Sequence, residues 1–345
     1  MNNKFKIFDG HNDVLWNLWM KGGKEPEKFF FEKDCPFQIS AHNAKQGGLA
    51  GGFCAIFPPS ADIGMINPHE RPPVSHPSAL ASTLAMAAIL TKLQCHAPQE
   101  FQVCRTVQDI YTAFENNAFA AIFHIEGAEA ISRNLDELYV LHAAGLRSLG
   151  PVWSRTNFFA TGVPFCFPSN PDIGDGLTEL GKRLIRACNE LHILIDLSHM
   201  NEKGFWDIAK LSDAPLVATH SNAHTIAPNS RNLTDKQLDA IKESHGMVGI
   251  NYGVTFLRPD GVRNLDTPLT LIAEHIRYIV DRIGIDHVGL GSDFDGTTVP
   301  LELKDATKLP ALIQTLQEAG FNDDELEKIT HKNWLRVLQK TWNED

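Results

Sequence analysis

A (β/α)8 barrel is the fold this sequence predicts, on three observations. The chain has 345 residues, enough for one large α/β barrel, a fold that commonly exceeds about 200 residues. Short, β-rich apolar runs recur with helical stretches between most of them, the alternation that builds a parallel sheet covered by helices. Those runs are continuously apolar rather than strictly alternating, as strands covered on both faces require. An open doubly wound sheet is the alternative, but no G-x-G-x-x-G follows the first strand to support it. The whole chain, 1–345, therefore reads as a single barrel with closing helices at its C-terminal end.

The elements follow in order. The first strand, Phe5–Phe8, runs directly into Asp9-Gly10-His11-Asn12-Asp13. The second is Gly52–Phe57, and the proline-, glycine- and polar-rich segment Pro58–Pro77 after it reads as a long loop on the catalytic rim. A helix over Ser78–Gln94 precedes the third strand, Ala120–Ile125, and Leu135–Ala144 is helical before the fourth, Arg147–Val152. A helix over Gly176–Leu191 leads to the fifth strand, Ile193–Leu197, with the sixth at Leu216–Thr219. Helices over Thr234–Ser244 and Thr270–Ile283 flank the seventh strand, Met247–Asn251, and the eighth is His287–Leu290. Beyond it, Lys304–Ala319 and Asp323–Gln339 form two closing helices, with Asn322 or Asp323 placed to cap the second.

Composition narrows the partners. With 43% hydrophobic and 21% charged residues the chain is ordinary for a globular protein with a sizeable core. A net charge of −11 argues against nucleic acid or an anionic membrane surface as the main partner. The opening Met1-Asn2-Asn3-Lys4-Phe5 shows no apolar run long enough for a signal peptide or a membrane span, so a cytoplasmic protein is expected. Its six cysteines (Cys35, Cys54, Cys95, Cys104, Cys166, Cys188) are scattered without a C-x-x-C pair and read as reduced, structural thiols.

Chemistry concentrates where strands end, the face on which barrel enzymes work. His11 and Asp13, two residues apart, can face one point and offer a nitrogen and a carboxylate oxygen, ligand types that zinc accepts. Polar, metal-competent residues also end later runs: His124-Ile125-Glu126-Gly127, Asp196-Leu197-Ser198-His199, Thr219-His220-Ser221 and Gly291-Ser292-Asp293. Singly, each has a plain reading as a hydrogen-bonded strand-end or turn residue. Jointly they are poorly explained by packing, because burying polar groups is costly unless they are paired or coordinated. A metal-dependent hydrolase is the expectation. His124, which shares its side of the strand with Glu126, is assigned to the barrel interior one layer deeper, and His224 to the solvated rim.

These motifs, in this order over nearly the whole chain, resemble the membrane (renal) dipeptidase family of the amidohydrolase superfamily; Asn333-Trp334-Leu335-Arg336 in the closing helix belongs to the match. The resemblance implies a binuclear zinc site, with His11 and Asp13 on the first metal, His199 and His220 on the second, and Glu126 bridging them. It further implies that Asp293 sits beside a metal-bridging hydroxide, takes its proton and delivers it to the departing amine. Arg231, in Ser230-Arg231-Asn232, matches the family's substrate-binding arginine, whose guanidinium suits a dipeptide's free carboxylate.

One position departs from the better-studied mammalian members. Where they carry a histidine that contacts the substrate carbonyl oxygen, Gly150-Pro151-Val152-Trp153-Ser154-Arg155 places Trp153, as in a bacterial branch of the family. Ser154 and Arg155 are then the neighbours left to supply that contact. The expected substrate is a free dipeptide, with a D-residue accepted at its C-terminal position; a homodimer is left open. The alternatives are an amidohydrolase acting on N-acyl amino acids, cyclic amides or β-lactams, and a non-catalytic metal- or peptide-binding barrel.

Overall fold

The computed structural model describes residues 4–60 and 73–344. Its strands are β1 (Ile7–Asn12), β2 (Leu49–Ile56), β3 (Phe101–Val103), β4 (Phe119–Glu126), β5 (Leu146–Gly150), β6 (Leu194–Ile195), β7 (Val217–Ala218), β8 (Met247–Ile250) and β9 (Val288–Leu290). Eight of them follow one another in the order β6-β5-β4-β2-β1-β9-β8-β7, and every pairing is parallel. A parallel bridge between Asp196 and Val217 brings the two ends of that row together. The result is a nearly closed (β/α)8 barrel, as the alternation of runs predicts.

β3 is an addition to the expected set. It pairs with the first residues of β4, Phe119 to Ala121, while β5 takes the same edge of β4 from Phe123 onward. Part of the expected loop over Pro58–Pro77, residues 61–72, lies outside the described residues. Its end is helical, because the helix that follows runs from His76 to His96 with Pro77 in the first turn, where a missing N–H costs nothing.

Two packed layers position the site. Along β4, Ala120 and Ile122 point into the barrel, and the two-residue period carries His124 and Glu126 the same way; Phe119, Ala121, Phe123 and Ile125 face the helices. Phe8, Phe53, Leu194, Val217 and Met247 join them inside and pack against Trp334 of the closing helix Asn333–Thr341. The Trp334 indole donates to the Leu290 carbonyl at 3.0 Å, and Asn333 donates to the carbonyls of Ile285 and Val288 at 2.8 Å each. A methyl group on Gly10 would meet the Thr219 carbonyl oxygen at 2.3 Å and the Trp334 ring at 2.4 Å, so the plug needs a glycine there.

The second closing helix is interrupted. Asn322 caps it through a reciprocal bond with Glu325, as expected. A π-helical turn over Lys328–Lys332 then separates Asp323–Glu327 from Asn333–Thr341. The first closing segment opens as 3-10 turns, and its α-helix begins only at Leu309, with Pro310 in its first turn.

Candidate active site

β1 runs past the expected Phe8 to Asn12 and carries a register irregularity between Asp9 and Asn12. Asp9 accepts from the backbone N–H and the hydroxyl of Ser292 at 2.6 and 2.7 Å, which ties the end of β1 to the end of β9. His11 is thereby fully buried at the mouth, and Asp13 heads the helix Val14–Lys21 with its N–H on the Phe294 carbonyl at 2.8 Å.

Four more predicted residues converge on the same place. Glu126 ends β4, and its Oε1 lies 3.6 Å from His11 Nε2, 3.0 Å from His199 Nε2 and 3.4 Å from His220 Nε2. The two latter Nε2 atoms are 3.0 Å apart. Asp13 Oδ2 is 3.5 Å from His11 Nε2. Donor atoms of Glu126, His199 and His220 fall within 4.8 Å of one another, and so do those of His11, Asp13 and Asp293. His199 and Asp293 hold this geometry with left-handed backbones, φ 65° and 57°, a conformation that residues other than glycine adopt rarely.

A second layer fixes the rings. Ser154 Oγ lies 2.7 Å from His199 Nδ1, and Thr219 Oγ1 lies 2.8 Å from His220 Nδ1, so each Nε2 is turned toward Glu126. Thr219 Oγ1 also reaches Asp196, whose carboxylate further accepts from the backbone of Ser198 and Thr219 and so joins β6 to β7. His124 sits one layer down as expected, with Nδ1 2.9 Å from Ser148 Oγ and burial pushing its pKa down to about 3. His224 is half-buried with its ring on the Ser169 carbonyl at 2.9 Å rather than freely solvated.

The electrostatics fit a cation at this point. Burial pushes Glu126 well above the ordinary carboxylate range. Burial works against charge on His11, yet Glu126, Asp13 and Asp293 outweigh it and drive the imidazole up to about 10. Among the described residues, both ring nitrogens of His11 and Oε1 of Glu126 are buried without a hydrogen-bond partner. Buried polar atoms so arranged are expected to coordinate, and imidazole plus carboxylate is a donor set for zinc and similar divalent ions.

Asp293 stands beside this cluster. Burial pushes its pKa up to about 7, against the Asn251 amide that donates to its Oδ2 at 2.8 Å. A methyl group on Gly296 would come within 2.0 Å of Asp13 Oδ2 and 2.6 Å of Asp293 Oδ1, so glycine keeps the carboxylates open to the cavity.

That cavity, of about 650 Å³, is lined by Asp13, Glu126, His199 and Asp293 on one side and by aromatic rings on the other. Trp153 is part of the aromatic wall, its ring 4.7 Å from Phe57 and 5.7 Å from Phe165 between centroids. Its neighbours have other engagements: Ser154 orients His199, and Arg155 is a buried ion pair with Glu129 that also holds the Pro58 carbonyl at 2.7 Å. Arg231 is buried too, donating to the His220 carbonyl at 3.2 Å with its Nε left unpartnered. The Phe256 ring centroid lies 5.6 Å from its guanidinium carbon.

The sequence pattern of the membrane dipeptidase family, peptidase family M19, matches residues 1–344. The chain belongs to that family. Membership makes the protein a hydrolytic enzyme, and by family a metal-dependent dipeptidase. A metallopeptidase of Rhodobacter sphaeroides, solved with a phosphinate mimic of the dipeptide L-Ala-D-Ala, superimposes with a TM-score of 0.95 at 45% identity, covering 99% of this chain and 100% of that one. A Klebsiella pneumoniae protein known by its place in the pqqA 5′ region is 49% identical over 257 residues, 74% of this chain and 95% of that protein. The dipeptidase tcpJ of Claviceps purpurea is 24% identical over 338 residues, 96% of this chain and 76% of its own length.

Other members of the dipeptidase site carry no motif of their own. Ser154, Asn251 and His275 are single polar residues; His275 is wholly buried and accepts the Ala223 N–H at 3.1 Å. The left-handed backbones at His199 and Asp293 left no sign in residue type.

Proposed function

We propose that the protein hydrolyses free dipeptides using two divalent metal ions, zinc by resemblance, with Asp293 as the proton-transfer group. His11 and Asp13 would hold one ion and His199 and His220 the other. Glu126, with its Oε1 within 3.6 Å of three imidazole nitrogens, is the residue placed to serve both. Such ions, when bound, supply Lewis acidity and bring the pKa of water close to neutral.

The chain's own residues do the rest. Asp293, held near neutrality by burial and oriented by Asn251, accepts the proton of the attacking water and returns it to the departing amine. Arg231 binds the α-carboxylate through its guanidinium, whose Nε has no hydrogen-bond partner among the described residues. Trp153 closes the wall where a polar contact to the carbonyl oxygen would otherwise stand. The phosphinate bound by the Rhodobacter relative mimics a dipeptide ending in D-Ala, which supports acceptance of a D-residue at the C-terminal position here.

The observation that carries the reading is the convergence of His11, Asp13, Glu126, His199, His220 and Asp293 on one place, with Asp13, Glu126, His199 and Asp293 lining the cavity and Arg231 on the His220 carbonyl. Metal analysis of the purified protein, with a panel of L,L- and L,D-dipeptides set against N-acyl amino acids, tests it. Two equivalents of metal and turnover of dipeptides are expected. Arg231→Ala should slow dipeptide hydrolysis by about 100-fold, the range of a buried charge-assisted contact, while sparing substrates without a free carboxylate. Equal losses on both classes would assign Arg231 elsewhere.

A further inference from the structure

The aromatic side of the cavity contains a cation that the dipeptidase reading leaves without a task. Arg263 lines the cavity and is exposed at its mouth. Its Nε and Nη2 both donate to the Thr298 hydroxyl, at 2.9 and 2.5 Å. No carboxylate lies within ion-pair distance of it among the described residues, whereas its neighbour Arg258 is paired with Asp260. In a chain of net charge −11, an unpaired guanidinium at the mouth of a carboxylate-rich site stands out.

Its place relative to the chemistry is set by two connections. The strip Gly296-Thr297-Thr298 lines the cavity from the Asp13–Asp293 carboxylates to the hydroxyl that Arg263 grips. The short helix Val254–Leu257 is held at one point by Val254 N–H on the Thr298 carbonyl at 2.9 Å. The same helix carries Phe256, the ring beside Arg231. The helix Val254–Leu257 thus meets Arg231 through the Phe256 ring and Arg263 through Thr298. A substrate residue whose α-carboxylate lay on Arg231 would have the Phe256 and Arg263 wall of the cavity open to its side chain.

We infer that Arg263 is a specificity-determining residue that selects dipeptides with an acidic C-terminal side chain, aspartate or glutamate, through a second guanidinium–carboxylate contact. The inference rests on the dipeptidase reading and on Arg231 as the α-carboxylate partner. A planar guanidinium with one edge free suits a side-chain carboxylate, and it disfavours a lysine or arginine there by like-charge repulsion.

The test compares kcat/KM of the metal-loaded enzyme on Ala-Asp, Ala-Asn, Ala-Ala and Ala-Lys in both C-terminal configurations. Wild type should prefer the aspartate peptide over its asparagine isostere by about 5-fold, the effect of one solvent-accessible charge contact of roughly 1 kcal/mol. Arg263→Ala should abolish that preference and leave Ala-Ala turnover unchanged. Arg263→Glu should invert it toward Ala-Lys, and Arg263→Lys should restore part of it. Equal treatment of aspartate and asparagine by the wild type, or equal losses on all peptides in Arg263→Ala, overturns the assignment while leaving the dipeptidase reading intact. Failure to cleave any member of the panel, with metal bound, overturns both.

Discussion

Ser154 and His199 form the hinge on which the metal-facing geometry turns: the hydroxyl lies 2.7 Å from Nδ1, and the opposite nitrogen of the same ring points at Glu126 from 3.0 Å. The imidazole is held against rotation by a group on the side away from Glu126. Outer partners of this kind set the tautomer and orientation of a ligating histidine and usually matter by about 10- to 100-fold in metal affinity. Ser154→Ala should therefore weaken binding of one metal equivalent by that range with little loss of stability. Titration of the chelated protein with zinc checks it, and unchanged affinity would make the hydroxyl a packing group.

Asp293 tests the proton-transfer role. Asp293→Asn keeps the shape and the bond to Asn251 within reach but removes the base. Metal content should stay close to wild type while kcat falls by about 100- to 10,000-fold, the range of a lost general acid–base group. Retained turnover would take Asp293 out of the chemistry. A parallel loss of metal would instead make it chiefly a ligand, in line with its grouping beside His11 and Asp13.

Gly10 links the site to the plug beneath it. An alanine there would drive its methyl group into the Thr219 carbonyl oxygen and the Trp334 ring. Backbone against backbone cannot yield as a flexible side chain does, so Gly10→Ala should destabilise by about 1–3 kcal/mol or more through overpacking. Thr219 also holds His220 and Asp196, so the displacement should weaken metal binding as well. Urea denaturation with a metal titration on the same sample separates the two effects. A variant as stable as wild type would show that the plug has room to move.

These three residues also mark how far the sequence could be read. The barrel was legible because continuous apolar runs between helices record burial on both faces, and burial depends on residue type. The gathering of His11, Asp13, Glu126, His199 and His220 was legible because each follows or ends such a run, where polar residues need a reason. The end of β1 was not: the apolar run stops at Phe8, and the Ser292 contacts and the Trp334 plug from far along the chain carry the strand through Asp9 and Gly10. The π turn over Lys328–Lys332 was hidden likewise, since its residues are ordinary helix formers. Ser154 and Asn251 act through one neighbour each, and a lone hydroxyl or amide carries no spacing signal.

His275 makes a final prediction, on acid stability. The ring is buried, accepting the Ala223 N–H on Nδ1 and donating from Nε2 to the Leu257 carbonyl at 3.0 Å, an arrangement that requires the neutral form. Burial pushes its pKa down to about 4, against the pull of the Leu257 carbonyl. The unfolded chain titrates near the ordinary value of about 6.5, so it binds the proton more readily than the folded protein does. The stability this group contributes is complete above about pH 6.5 and is lost progressively as the pH falls toward 4, by roughly 3 kcal/mol in all. His275→Gln, which keeps an acceptor and a donor but does not titrate, should flatten that part of the profile. The comparison is urea midpoints of wild type and variant between pH 7.5 and 4.5 on metal-free protein. Curves that stay parallel across that window would place the acid sensitivity on other groups, and a gap that changes below about 6.5 would place it on His275, whose Nδ1 holds the Ala223 N–H.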